Sequence, residues 1–125
     1  MTEIVTTMYR PVGTKELALI EESNFTAYPP RLPDQPIFYP VLNEGYARQI
    51  AKDWNSRLND DKVGYVTRFD VKKSVADKYQ PEIVGAREHE EIWVPAGELQ
   101  EFNEAIVGKI EVVAKYKKDE LVWEK

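Results

Sequence analysis

The segment Glu88-His89-Glu90-Glu91-Ile92-Trp93-Val94-Pro95 puts four titratable side chains directly ahead of an apolar tripeptide that a proline stops. β-Branched and aromatic residues favour extended backbone, so Glu91 belongs at the mouth of a strand, on rigid backbone rather than a loose loop. A carboxylate held there can exchange protons or set a fixed negative charge beside a developing cation. It can equally be an ordinary charged strand end, paired with Arg87 or Lys109. His89 is the chain's single histidine, a residue type that suits proton transfer as well as plain solvation among glutamates.

What must position these groups is one domain of modest size. The chain has 125 residues, 42% of them hydrophobic, enough for a single core without metal or disulfide staples. There is no cysteine, which excludes thiolate zinc sites, iron–sulfur clusters and a cysteine nucleophile, and a single histidine excludes a multi-histidine metal centre. No metal ligand set is therefore assigned. The net charge of −5, with both signs scattered, argues against a broad grip on nucleic acid. No basic-then-apolar leader opens the chain and no apolar run approaches the ~20 residues of a membrane span, so a cytoplasmic protein is expected.

Residues 4–10 read as a first strand closed by Pro11 and Gly13, which places Arg10 at a strand end. Thr14 is placed to cap a short helix with Leu17, Ala18 and Ile20 on one face and Asn24 as its stop. Five of the eight prolines fall between Tyr28 and Pro40, so this stretch is an extended loop crossing the domain face, with a brief strand at Ile37-Phe38-Tyr39. Asn43 caps the clearest helix, where Tyr46, Ala47, Ile50, Ala51 and Trp54 recur at helical spacing. Gly64 to Val71 alternates as a half-buried strand, Ser74 and Asp77 resemble a capping box for one turn, and Ile83-Val84-Gly85 is a further strand. Leu99, Phe102 and Ile106 mark a third helix, and Gly108 resets the chain into the strand Lys109 to Tyr116. The expectation is an α+β fold of about six short strands in largely antiparallel sheets with three helices. The domain spans 1–116, and residues 117–125 form a charged tail whose Leu121, Val122 and Trp123 suggest docking or a homodimer contact.

Taken together, Tyr9-Arg10 on strand one, Phe38-Tyr39 before the Tyr46 helix, and His89-Glu90-Glu91-Ile92-Trp93-Val94-Pro95 resemble the three-part layout of ADP-ribosyltransferase-like domains. More closely, the chain from Tyr9 to about Ala114 resembles small bacterial proteins labelled "ADP-ribosylation/crystallin J1". The resemblance is carried by Tyr9-Arg10-Pro11-Val12-Gly13, Pro29-Pro30-Arg31-Leu32-Pro33, Gln35 through Asn43, Gly64-Tyr65-Val66-Thr67-Arg68-Phe69 and Ile106-Val107-Gly108. It implies an ADP-ribosyltransferase-like fold that uses NAD as substrate and passes ADP-ribose to an unidentified acceptor, a protein being one candidate. It puts Arg10 on the dinucleotide's phosphate or ribose, Glu91 in the catalytic position and His89 where the acceptor is selected. Pro40 and Val41 stand in place of a serine-rich motif, so the supporting tyrosine would be Tyr39 or Tyr46.

Each assignment has a plainer rival. Arg10 offers a bidentate fork for a diphosphate, or is a structural arginine. Tyr39, beside Phe38, stacks on nicotinamide or fills core. Arg31 reaches a phosphate from the proline-rich loop or stays in water. Opening the nicotinamide bond builds positive charge on the ribose, which a carboxylate near the 2′-hydroxyl stabilises; that is the task assigned to Glu91. The alternative for the whole chain is a nucleotide-binding or protein-interaction module on the same fold, without transfer chemistry.

Overall fold

Three runs dense in β-branched and aromatic residues form the spine of the protein, Val5–Val12, Val63–Lys72 and Ile106–Lys117. The computed structural model describes residues 4–85 and 89–125. In chain order the elements are β1 (Val5–Val12), α1 (Thr14–Glu22), β2 (Ile37–Phe38), α2 (Glu44–Ile50), a π-helical turn (Ala51–Asn55), α3 (Ser56–Leu58), β3 (Val63–Lys72), α4 (Lys73–Ala76), β4 (Glu82–Ile83), β5 (Glu90–Glu91), β6 (Val94–Pro95), a 3-10 turn (Ala96–Glu98), α5 (Leu99–Glu104), β7 (Ile106–Lys117) and β8 (Glu120–Glu124). The main sheet runs β1-β3-β7-β8, and β2 with β6 and β4 with β5 make two small ladders. Every pairing is antiparallel. The architecture is α+β with several antiparallel sheets, and it has two more strands and more short helical turns than the spacing alone predicts.

Several local expectations change on contact with the structure. The α1 cap residue is Gly13, not Thr14; the Thr14 hydroxyl instead donates to Asp61 Oδ2 at 2.5 Å. Asn24 does follow the helix end, with φ of 62°. Asn43 caps α2 as its side chain accepts from the Tyr46 N–H at 3.0 Å. The residues read as a charged tail form β8, which returns along β7 through the turn Lys118-Asp119 and leaves Leu121, Val122 and Trp123 exposed on the sheet edge. Both turn residues take positive φ, the geometry that a two-residue hairpin requires. Gly108 does not precede β7 but lies inside it at φ 78°, close to a register shift against β3.

The core sits on both faces of the sheet. One side packs Met8, Val12, Ile20, Tyr28, Phe38, Phe69, Val71 and Phe102, with aromatic rings 5.0 to 6.2 Å apart in tilted and edge-on contacts. The other packs Val66, Val113, Ala114 and Tyr116 against Ala47 and Ala51. Thus β3 is buried on both sides in its first half rather than half-buried. Gly64 makes the second layer possible: a Cβ there would lie 2.5 Å from the Ala51 carbonyl oxygen and 2.7 Å from Asn55 Cβ. The proline-rich loop is tied down by a buried relay in which the Tyr28 hydroxyl meets Thr67 Oγ1 at 2.7 Å and Thr67 donates to the Arg10 carbonyl at 2.8 Å. Burial raises the Tyr28 pKa well above the ordinary phenol value, so its hydroxyl stays a donor.

Val41 joins the strand that carries Arg10 to the one that carries Glu91. It exchanges two backbone hydrogen bonds of 2.8 Å with Tyr9, and it forms a second antiparallel bridge with Glu91, flanked by Ile92 N–H to the Pro40 carbonyl at 2.8 Å. Three segments distant in sequence are thereby drawn to one place. No helix among the described residues is long and apolar enough to cross a membrane.

Candidate functional site

The strand geometry fixes Glu91 first. Glu91 and Trp93 are two residues apart, which on extended chain turns both side chains the same way. Trp93 Nε1 donates to Glu91 Oε1 at 3.0 Å, while the Tyr46 hydroxyl, set by the Asn43 cap one turn into α2, donates to Glu91 Oε2 at 2.7 Å. Each carboxylate oxygen is thus held by one neutral donor, and Glu91 has no ion-pair partner among the described residues. Lys109, one expected partner, donates instead to the Asn24 carbonyl; Arg87, the other, lies outside the described residues, as does Glu88. Partial burial first, then the bond and charge of Glu91, push the Tyr46 pKa up to about 12, so the phenol keeps its proton.

Glu91 faces a hollow of about 420 Å³ whose wall includes Arg10, Tyr39, Val41, Ile50, Val84 and Trp93. That volume falls in the range of small-ligand sites. Tyr39 and Trp93 stand edge to face there, ring centroids 6.1 Å apart, and both rings stay half-exposed rather than filling core. A second hollow of about 380 Å³ shares Ile50 and Val84 and is lined by Tyr46, Gln49, Trp54 and His89. Here His89 stacks on Tyr46 at 4.1 Å and 10°. The Tyr46–Glu91 hydrogen bond therefore links the walls of two adjacent hollows, with the carboxylate on one and the phenol and imidazole on the other.

The arginines are placed differently from the expectation of a free anion grip. Arg10 lines the first hollow, but its Nε and Nη2 are bonded to the two oxygens of Glu16, at 2.7 and 3.0 Å, and its Nη1 donates to the Tyr39 carbonyl at 3.3 Å. Glu16 comes from the first turn of α1, six residues on. Arg31 lines neither hollow; its side chain is packed beside Phe38 and near Glu16. A larger hollow of about 770 Å³ adjoins through Arg10, Pro11 and Asn55, and Glu16, Asp60 and Asp61 outnumber Arg10 and Lys15 on its wall. The fit to a dinucleotide is therefore split. Aromatic walls and a fixed carboxylate suit a ring and a ribose, whereas a diphosphate meets Arg10 already paired and an acidic rim beyond it.

Of the residues singled out by sequence, Arg10, Tyr39 and Glu91 converge on one hollow, Tyr46 supports Glu91, His89 sits across Tyr46, and Arg31 stands behind Phe38. Trp93 and Glu16 were not singled out, although the two-residue step from Glu91 to Trp93 is a readable signal. Another hollow of about 760 Å³, between Tyr28 and Asn103, has Glu104 as the one charged residue of its lining. Among the described residues no group of three acidic or histidine side chains is gathered to hold a metal ion. Compared with protein-family models, curated proteins and solved structures, the chain matches none.

Proposed function

We propose that the hollow faced by Glu91 binds the nicotinamide–ribose part of NAD or a related nucleotide, and that the chain is an ADP-ribosyltransferase-like protein that passes ADP-ribose to an acceptor. One observation carries this reading: the Glu91 carboxylate is aligned by two neutral donors at the rim of a hollow that also holds Arg10, Tyr39 and Trp93. NAD supplies a labile bond between ring and sugar. Glu91, without an ion-pair partner among the described residues, contributes negative charge close to the sugar, and Tyr46 and Trp93 spare it the cost of reorienting. Tyr39 and Trp93 offer a flat or cationic ring a π-rich wall. His89 and Trp54 border the adjacent hollow, where an acceptor would approach from the far side of Tyr46.

The test is nicotinamide release from NAD by the purified protein. Release is expected from the wild type, with a drop of about 100-fold in Glu91→Gln, the scale of one lost electrostatic stabiliser. Release at an unchanged rate in that variant would remove Glu91 from the mechanism. A second reading is supported by the closed Arg10–Glu16 pair: a binding module that holds ADP-ribose without transfer. It predicts a higher melting temperature with ADP-ribose and no nicotinamide release.

A further inference from the structure

Arg10 and Arg31 converge on the same two groups. Their guanidinium carbons lie 4.7 and 5.3 Å from the centroid of the fully buried Phe38 ring, and both approach Glu16. The single carboxylate is taken up by Arg10, which grips both its oxygens. Arg31 receives what is left. Its Nη2 is 3.7 Å from Glu16 Oε1, too long for a hydrogen bond, and 3.4 Å from the Pro29 carbonyl; its Nε is buried with no partner among the described residues. A guanidinium has five N–H donors, and among the described residues this one has a single long bond although its side chain is only 7% exposed. The cluster thus has two positive charges against one negative in poorly hydrated surroundings, an arrangement that is costly unless the spare donors serve a partner. Burial, and then the neighbouring Arg10, lower the Arg31 pKa, which is the same mismatch seen from the proton's side.

We infer that Arg10 and Arg31 form a phosphate-binding pair and that the Glu16 carboxylate is its internal competitor, displaced when a phosphate group of a ligand enters. The inference rests on the nucleotide reading of the neighbouring hollow and adds to it how the phosphate end is admitted. A phosphate has more negative charge and one more oxygen than a carboxylate, so it can serve two guanidinium forks where Glu16 serves one. Glu16 already borders the adjoining hollow of about 770 Å³, which gives its side chain somewhere to turn. Arg10 lines both hollows, so a phosphate held by it lies next to the ring-binding wall.

Inorganic pyrophosphate is the probe, titrated by calorimetry into wild-type protein and Glu16→Gln. The variant keeps the shape of the side chain but loses the competing charge, and is expected to bind roughly tenfold tighter or better, the scale of one hydrogen bond to a charged group. Adding Arg31→Met to Glu16→Gln should abolish that gain. Because Glu16→Gln removes a largely buried partner of Arg10, the upward shift of melting temperature with pyrophosphate is read in parallel. Glu16→Asp, which keeps the charge but shortens its reach, should show a smaller gain of the same sign. Equal affinity in wild type and both Glu16 variants, or a gain that survives Arg31→Met, overturns the inference. A gain without any nicotinamide release from NAD would sink the transfer reading alone, and release without a gain would sink the displacement alone.

Discussion

Glu91 shares a hollow with Arg10 and Glu16 is bonded to Arg10, and the protein treats the two glutamates in contrary ways. Glu91 is held by a phenol and an indole, donors that fix its direction and leave its charge whole. Glu16 is held by the fork of Arg10, which fixes its direction by cancelling its charge. Neutral donors make a carboxylate available for work on something else; a guanidinium occupies it, and is itself occupied, until a stronger anion competes. The difference shows how two glutamates close to the same cleft acquire distinct tasks from the hydrogen-bond partners chosen for them.

The harshest way to break the contrast is Arg10→Met. It removes the two bonds that grip Glu16, whose side chain is 19% exposed, and leaves Arg31 at 3.7 Å as the remaining countercharge, so it should cost about 2 kcal/mol of stability in urea unfolding. A loss below about 1 kcal/mol would mean that the pair is scaffold in geometry only. On the other side, Glu91→Gln should lower stability by less than about 1 kcal/mol while nearly abolishing nicotinamide release, since it is charge and not anchorage that is removed. Tyr46→Phe sharpens the comparison: one guide is lost and the charge stays, so stability falls by about 1 kcal/mol and release slows by roughly tenfold. Trp93→Phe, which removes the longer and more exposed of the two bonds, should have the smallest effect, about 0.5 kcal/mol.

The pH response separates the two sides as well. The folded pKa of Tyr46 is raised from 10.0 to about 12, so what its hydroxyl contributes is fully present below the unfolded value and lost as pH rises from about 10 to about 12. Ultraviolet titration of the seven tyrosines should accordingly show a late step that Tyr46→Phe diminishes. Late ionisation that is unchanged in the variant, and so owed only to Tyr28 and Tyr79, with the lost tyrosine coming from the ordinary phenol step, would mean that Tyr46 does not hold Glu91 in solution.

Much of the scaffold was readable because its signals are local. The Asn43 cap, the alternation from Tyr65 to Val71 and the prolines between Tyr28 and Pro40 each express a preference of a few neighbouring residues. The strand β8 was not readable, since Lys118-Asp119 lacks the Asn-Gly or Asp-Gly signature of a tight hairpin and its positive φ angles are imposed by the pairing of β7. At the site, Glu91 could be placed from its strand-mouth pattern, whereas Arg10 lies inside β1, two residues short of its end at Val12, and not at a strand end as Pro11 suggested. The Arg10–Glu16 pair is not legible in the sequence because it spans the passage from β1 to α1 at Gly13, where no periodicity relates the two side chains. The partial crowding of Arg31 is hidden for a similar reason, as it depends on Phe38 being buried rather than on any spacing.

Val41 carries a consequence for size. As the one residue bridged to Tyr9 on one side and to Glu91 on the other, it sets the gap between the arginine-bearing and glutamate-bearing backbones at two inter-strand steps, roughly 10 Å. That is a caliper set by peptide groups, independent of side-chain rotamers. Parting the two flanking backbones would break the hydrogen bonds between Tyr9 and Val41, so the deuterium uptake of these amides gauges how firmly that spacing is held.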